Sequence, residues 1–194
     1  MNRGTVKIAL LAALLGICSA YGDIQIFEVD SVAALTNAID RANPSPSDSG
    51  AAYDVIRLKA GVTFDLSTLS EYTSSDALWG TMGAPANNSN GKSCIWFKKK
   101  IHFEGEDTTH WKSKTSAQES VLYGGSAARI IYPYGTWDGA CSTFKHIVFA
   151  GGKADSGKNG GGILSIGPSI HSPASANRAK MGFVTNCVDR KSVV

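Results

Sequence analysis

Four tryptophans, Trp79, Trp96, Trp111 and Trp137, are the side chains of this 194-residue chain best suited to holding a ligand. A flat indole face with an N–H at its edge can stack on a sugar ring and hydrogen-bond to it. Trp79, Trp111 and Trp137 fall in segments that read as loops, where binding residues concentrate. These three are therefore the candidate glycan-contacting residues. Packing of the same rings against the body of the protein is the competing reading.

Acid–base and metal chemistry find less. Hydrolysis of a glycosidic bond needs two carboxyl groups at a defined separation, and the chain has no Asp-Asp pair. Glu104-Gly105-Glu106-Asp107 is the densest acidic stretch. Its oxygens suit calcium in type, but a solvated turn accounts for it, and no cofactor or metal is assigned. Arg57, Arg129 and Arg178 stand alone, without acids grouped around them in sequence. His102, His110, His146 and His171 lack metal-ligand spacing, and Gly160-Gly161-Gly162 lacks the Lys-Ser/Thr of a phosphate loop. No catalytic residue is named.

Charge and targeting narrow the setting. Met1 to Lys7 carries two cations, Ile8 to Ile17 is apolar, and Cys18-Ser19-Ala20 follows. That is the layout of a secretory signal peptide, too short for a membrane span of about 20 residues. Cleavage after Ala20 leaves 17 basic and 16 acidic side chains, so no net charge points to nucleic acid. The one basic run, Lys98-Lys99-Lys100, reads as a solvated surface. No transmembrane segment is expected beyond the leader, and the protein is expected to be secreted or held at the cell surface or outer membrane.

The elements that must position these residues follow from periodicity. Ile24 to Val29 reads as a strand. Val32, Leu35, Ile39 and Ala42 form one apolar stripe after the capping residues Asp30 and Ser31, which predicts a short helix over 31–42. Beyond it the period is two: Ile56 and Leu58 face one way, Arg57 and Lys59 the other. Further short strands are expected around Phe64, Ile95, Phe103, Leu122, Ile130, Val148, Ile163 and Val184. The stretch 67–92, rich in Ser, Thr, Asn and Gly, reads as one long loop. Three strand ends share a bulky residue, one spacer and glycine: Phe103-Glu104-Gly105, Leu122-Tyr123-Gly124 and Phe149-Ala150-Gly151, with glycines 19 and 27 apart. Irregular recurrence of that length suggests stacked coils; a β-sandwich is the competing architecture.

Val121-Leu122-Tyr123-Gly124-Gly125, Phe144 to Gly152 and Gly160-Gly161-Gly162-Ile163 resemble the pectin-lyase-like superfamily of exported proteins. The likeness is to its branch of polymorphic outer-membrane proteins and surface adhesins. That resemblance implies an all-β right-handed parallel β-helix over 21–188, with the helix at 31–42 as its N-terminal cap. Residues 189–194, Asp-Arg-Lys-Ser-Val-Val, are what the start of a common sequencing adapter would encode. They are read as a non-native tail on a truncated N-terminal fragment. Cys94 and Cys141, each opening a strand-like segment one or two coils apart, are candidates for a disulfide, with buried free thiols as the alternative. Two functions stay open. One is a non-catalytic surface or secreted protein meeting extracellular glycans or host-surface components. The other, implied by the superfamily, is a pectate-lyase-like or polygalacturonase-like enzyme whose reactive coils lie further on.

Overall fold

The computed structural model describes residues 24–42, 54–86, 91–99, 101–134, 142–156, 161–163, 184–185 and 187–190. The expected leader, Trp137, Cys141 and the last four residues of the tail lie outside them. Along the chain the strands are β1 (Ile26–Val29), β2 (Asp54–Leu58), β3 (Thr63–Asp65), β4 (Tyr72–Thr73), β5 (Trp79–Gly83), β6 (Ser93–Phe97), β7 (Ile101–Gly105), β8 (Ser120–Tyr123), β9 (Arg129–Pro133), β10 (Thr143–Lys145), β11 (Ile147–Ala150), β12 (Val184–Thr185) and β13 (Val188–Arg190). Among the described residues there is one α-helix, α1 (Val32–Arg41), between β1 and β2.

Alternation of apolar and polar residues sorts the strands. The first sheet, in the order β1-β2-β7-β10-β12, and the second, β13-β11-β8-β3, are parallel throughout. The third, β4-β5-β6-β9, is mixed: β5 runs antiparallel to β4 and β6, whereas β6 and β9 are parallel. Each sheet sends one apolar ladder inward. These are Phe27–Ile56–Phe103–Phe144, Phe64–Leu122–Phe149, and Ile95–Ile131 continued by the bridge to Ile163. Phe103 and Phe144 stack with ring centres 5.3 Å apart, and the ladders meet in one buried core. Successive strands pass from the first sheet to the second and the third, as in β7, β8 and β9, before β10 returns to the first.

The expected all-β right-handed parallel β-helix is corrected by this arrangement. The strands form three separate sheets, one of them mixed, beside an α-helix, and among the described residues they do not close into a solenoid. Two causes are visible. Part of the supposed loop at 67–92 folds into β4 and β5, which place antiparallel pairings in the third sheet. The bulky-spacer-glycine recurrence also mixed unlike positions. Phe103-Glu104-Gly105 ends β7 in the first sheet, but Leu122-Tyr123-Gly124 and Phe149-Ala150-Gly151 end β8 and β11 in the second.

Helix α1 is held at both ends. Ser31 has extended backbone angles, and its Oγ accepts the Ala34 N–H at 3.2 Å, satisfying one of the free N–H groups of the first turn. Leu35, Ala38 and Ile39 bury one face; ten residues would scarcely hold a helix in water without that packing. At the other end Lys99 Nζ donates to the carbonyls of Ile39, Asp40 and Ala42 at 2.8, 2.7 and 3.2 Å. A cation there satisfies carbonyls left over by the helix and matches the negative end of its dipole. Lys99 is only 2% exposed, so the solvated reading of Lys98-Lys99-Lys100 fails at its centre. Burial pulls its pKa down, opposed by Asp76, Asp40 and Asp54. Lys98 instead lies over the rings of Trp96 and Tyr134, at 6.0 and 5.7 Å from their centres.

Candidate functional site

Where α1 faces β4 and β5, a pocket of about 430 Å³ opens. Its apolar side is Leu69, Tyr72 and Trp79, and its polar side includes Asn37, Asp40 and Ser70. Local sequence explains how the aromatic pair is placed. Ser74 Oγ accepts the N–H groups of Leu78 and Trp79 at 3.2 and 3.1 Å and donates to Asp76 Oδ1 at 2.5 Å. Asp76 Oδ1 also accepts the Leu78 N–H at 3.0 Å, and these bonds lower its pKa. The chain therefore reverses tightly between β4 and β5. Gly80 completes the approach, because a Cβ at that position would meet the Tyr72 carbonyl oxygen and the Trp96 indole. Thr81, paired with Tyr72 across the strands, donates from Oγ1 to the Ser70 carbonyl at 2.6 Å.

The resulting rings of Tyr72 and Trp79 lie 5.1 Å apart at 53°. Trp79 is buried, and its Nε1–H donates to Asp40 Oδ1 at 2.9 Å. That bond fixes the carboxylate against the floor of the pocket. Tyr72 is 46% exposed, so a face of its ring is open to solvent. Neither the Asn37 amide, the Ser70 hydroxyl nor the Tyr72 hydroxyl bonds to another described residue. An aromatic surface beside uncommitted donors and acceptors is the usual composition of a small-molecule site.

A second, charged cleft of about 710 Å³ lies on the outer face of the first sheet. Register sets Glu28, Arg57, Glu104 and Lys145 side by side on successive strands. Arg57 reaches Glu28 and Glu104, each at 2.7 Å, and its pKa rises, chiefly through the hydrogen bond to Glu104. Both carboxylates are thus tied to one guanidinium. The rest of the acidic stretch disperses. Glu106 Oε2 accepts the Ala60 N–H at 2.9 Å, while Asp107 accepts the Thr109 N–H at 2.8 Å and Gln118 Nε2 at 3.2 Å. Among the described residues no three His, Cys, Asp or Glu side chains are grouped to hold a metal ion.

The tryptophans named from sequence are not brought together. Trp79 sits in strand β5 rather than a loop and lines the pocket from beneath. Trp111, 42% exposed in a turn after β7, lies under Lys112 Nζ at 5.4 Å and is not part of the pocket. Trp137 is outside the described residues. Sequence reasoning missed Tyr72, whose signal was a β-prone Tyr-Thr pair within a serine-rich stretch. It also missed Asn37 and Asp40, the exposed face of the predicted helix. Cys94 is a buried free thiol with its pKa pushed up by burial to about 11, and its candidate partner Cys141 is outside the described residues. Cys187 Sγ donates to the Phe144 carbonyl at 3.5 Å. Among the described residues no helix is long and apolar enough to cross a membrane. No family model, no curated protein and no solved structure matches the chain.

Proposed function

We propose that this chain is an exported, non-catalytic protein that contacts glycans, with the pocket between α1 and the β4–β5 hairpin as the contact site. The observation that carries the reading is the Tyr72–Trp79 pair, which offers an open ring face beside the uncommitted groups of Asn37 and Ser70. A pyranose ring has an apolar face for the aromatic and a rim of hydroxyls for the amide, hydroxyl and carboxylate. Support for a binding rather than a hydrolytic role comes from the charged cleft, where Arg57 engages both Glu28 and Glu104. Export rests on the leader-like pattern of Met1 to Ala20, and it would bring the pocket to extracellular glycans or cell-surface components.

A glycan array followed by titration of the retained saccharides tests the proposal. Tyr72→Ala removes an exposed ring without opening the core and is expected to weaken binding about tenfold, or ~1.4 kcal/mol. Trp111→Ala, outside the pocket, leaves affinity unchanged. A folded protein that retains no saccharide, or a Tyr72→Ala variant that binds like the parent, would overturn the reading.

A further inference from the structure

Resting on that glycan reading, we infer that the pocket selects an amino sugar with a free ammonium group, seated between the Tyr72 ring and the Asp40 carboxylate, and disfavours acidic sugars. Among the described residues lining the pocket, Asp40 alone bears a carboxylate and none bears a cationic group. One of its oxygens receives the Trp79 Nε1–H at 2.9 Å, so the carboxylate is held in place while its other oxygen makes no bond to a described residue. It belongs to the last turn of α1, where the helix dipole is negative. Lys99 already meets the carbonyls at that helix end, so it is the second oxygen of the Asp40 carboxylate, rather than the dipole, that is available to a ligand cation. Lys99 does not fill this role toward a ligand: its ammonium is buried and committed to the carbonyls of Ile39, Asp40 and Ala42.

The aromatic side adds to the same preference. A cation near an aromatic face is attracted by the ring quadrupole, and Tyr72, 46% exposed, lines the same pocket as Asp40. Asn37 stands three residues before Asp40 and so projects from the same side of the helix, where its amide can meet a neighbouring hydroxyl. A uronate would bring its carboxylate against Asp40, with no cationic side chain among the described lining residues to receive it. Because Asp40 is exposed, the ion pair is modest: about two- to fivefold in affinity, and lost at high salt.

The test titrates the full chain with three oligosaccharides of equal length: β-linked glucosamine, its N-acetylated counterpart, and galacturonate. The titration is run at about pH 5.5, where the amine is protonated. The glucosamine oligomer is expected to bind about two- to fivefold more tightly than the N-acetylated one, with galacturonate weakest, and ~0.5 M salt should remove the first difference. Asp40→Asn keeps an oxygen for Trp79 Nε1 and should bring the ratio of the first two affinities to about one. Galacturonate binding as tightly as glucosamine, or an Asp40→Asn variant that preserves the glucosamine preference, overturns the inference while leaving glycan contact standing. If folded protein binds none of the three, the glycan reading fails and the inference with it.

Discussion

Replacing Lys99 by methionine isolates the interaction that docks α1 and, through it, one wall of the pocket. Methionine retains much of the aliphatic stem in a site only 2% exposed, but it has no donor for the three helix-end carbonyls. The bonds to Ile39 and Ala42 are buried, and a buried acceptor left unsatisfied costs about 1–3 kcal/mol. The Asp40 carbonyl is partly buried and can recover some hydration. Against these losses stands the relief of the ammonium's own desolvation, which lowers the Lys99 pKa in the folded chain. The balance comes to a loss of about 3 kcal/mol, close to that of breaking a buried ionic contact by removing one partner. Urea denaturation followed by tryptophan fluorescence measures it through the shift of the midpoint at constant slope. Because Asp40 lies at the same helix end, saccharide affinity should fall in parallel. A Lys99→Met variant within about 0.5 kcal/mol of the parent would refute the reasoning, since surface substitutions typically stay inside that limit.

Three further outcomes follow from particular contacts. Gly105→Ala would drive a Cβ into the His146 carbonyl oxygen and against Ser120 Oγ; both neighbours are anchored, so a loss of about 2 kcal/mol or more is expected in the same denaturation assay. Burial, aided by Lys145 and opposed by Glu104, holds His102 below its ordinary 6.5. The unfolded chain therefore takes up the proton first, so this contribution to stability is complete above pH 6.5 and falls as acid carries the solution down toward the folded value. His102→Gln should flatten the fall between about pH 7 and pH 5 in urea midpoints, and an unchanged slope would contradict that origin. Cys94, with its pKa at about 11 and its side chain buried, should resist alkylation in the native protein and react on unfolding without any reductant. Mass spectrometry that finds it labelled only after reduction would show a disulfide instead.

Legibility differed from element to element. The stripe of Leu35 and Ile39 announced α1, because a helix buries one face and needs little else to be recognised. Alternation in Val55 to Leu58 and around Phe103 announced β2 and β7 for the same reason. Pairing was harder. Glycines marked the ends of β7, β8 and β11 alike, yet a glycine spacing cannot reveal which sheet a strand joins. That is how the parallel β-helix came to be expected. The hairpin of β4 and β5 was hidden because Gly80 and Gly83 interrupt its alternation, although Gly80 is what lets the strands close. Lys99 was misjudged because charge in a sequence reads as exposure, whereas a helix end sixty residues away supplies the acceptors that let a lysine be buried. Of the pocket, only Trp79 was singled out beforehand. Its neighbours came from α1 and β4, elements whose approach depends on tertiary packing.

The most direct test of the account follows the Trp79 indole N–H in a nitrogen-15 spectrum while the glucosamine oligomer is added. Its hydrogen bond to Asp40 lies within the pocket, so the account predicts a saturable shift of that resonance, with its midpoint raised about tenfold in Tyr72→Ala and with Trp111 undisturbed. Binding that moves the Trp111 resonance and leaves Trp79 in place would contradict it.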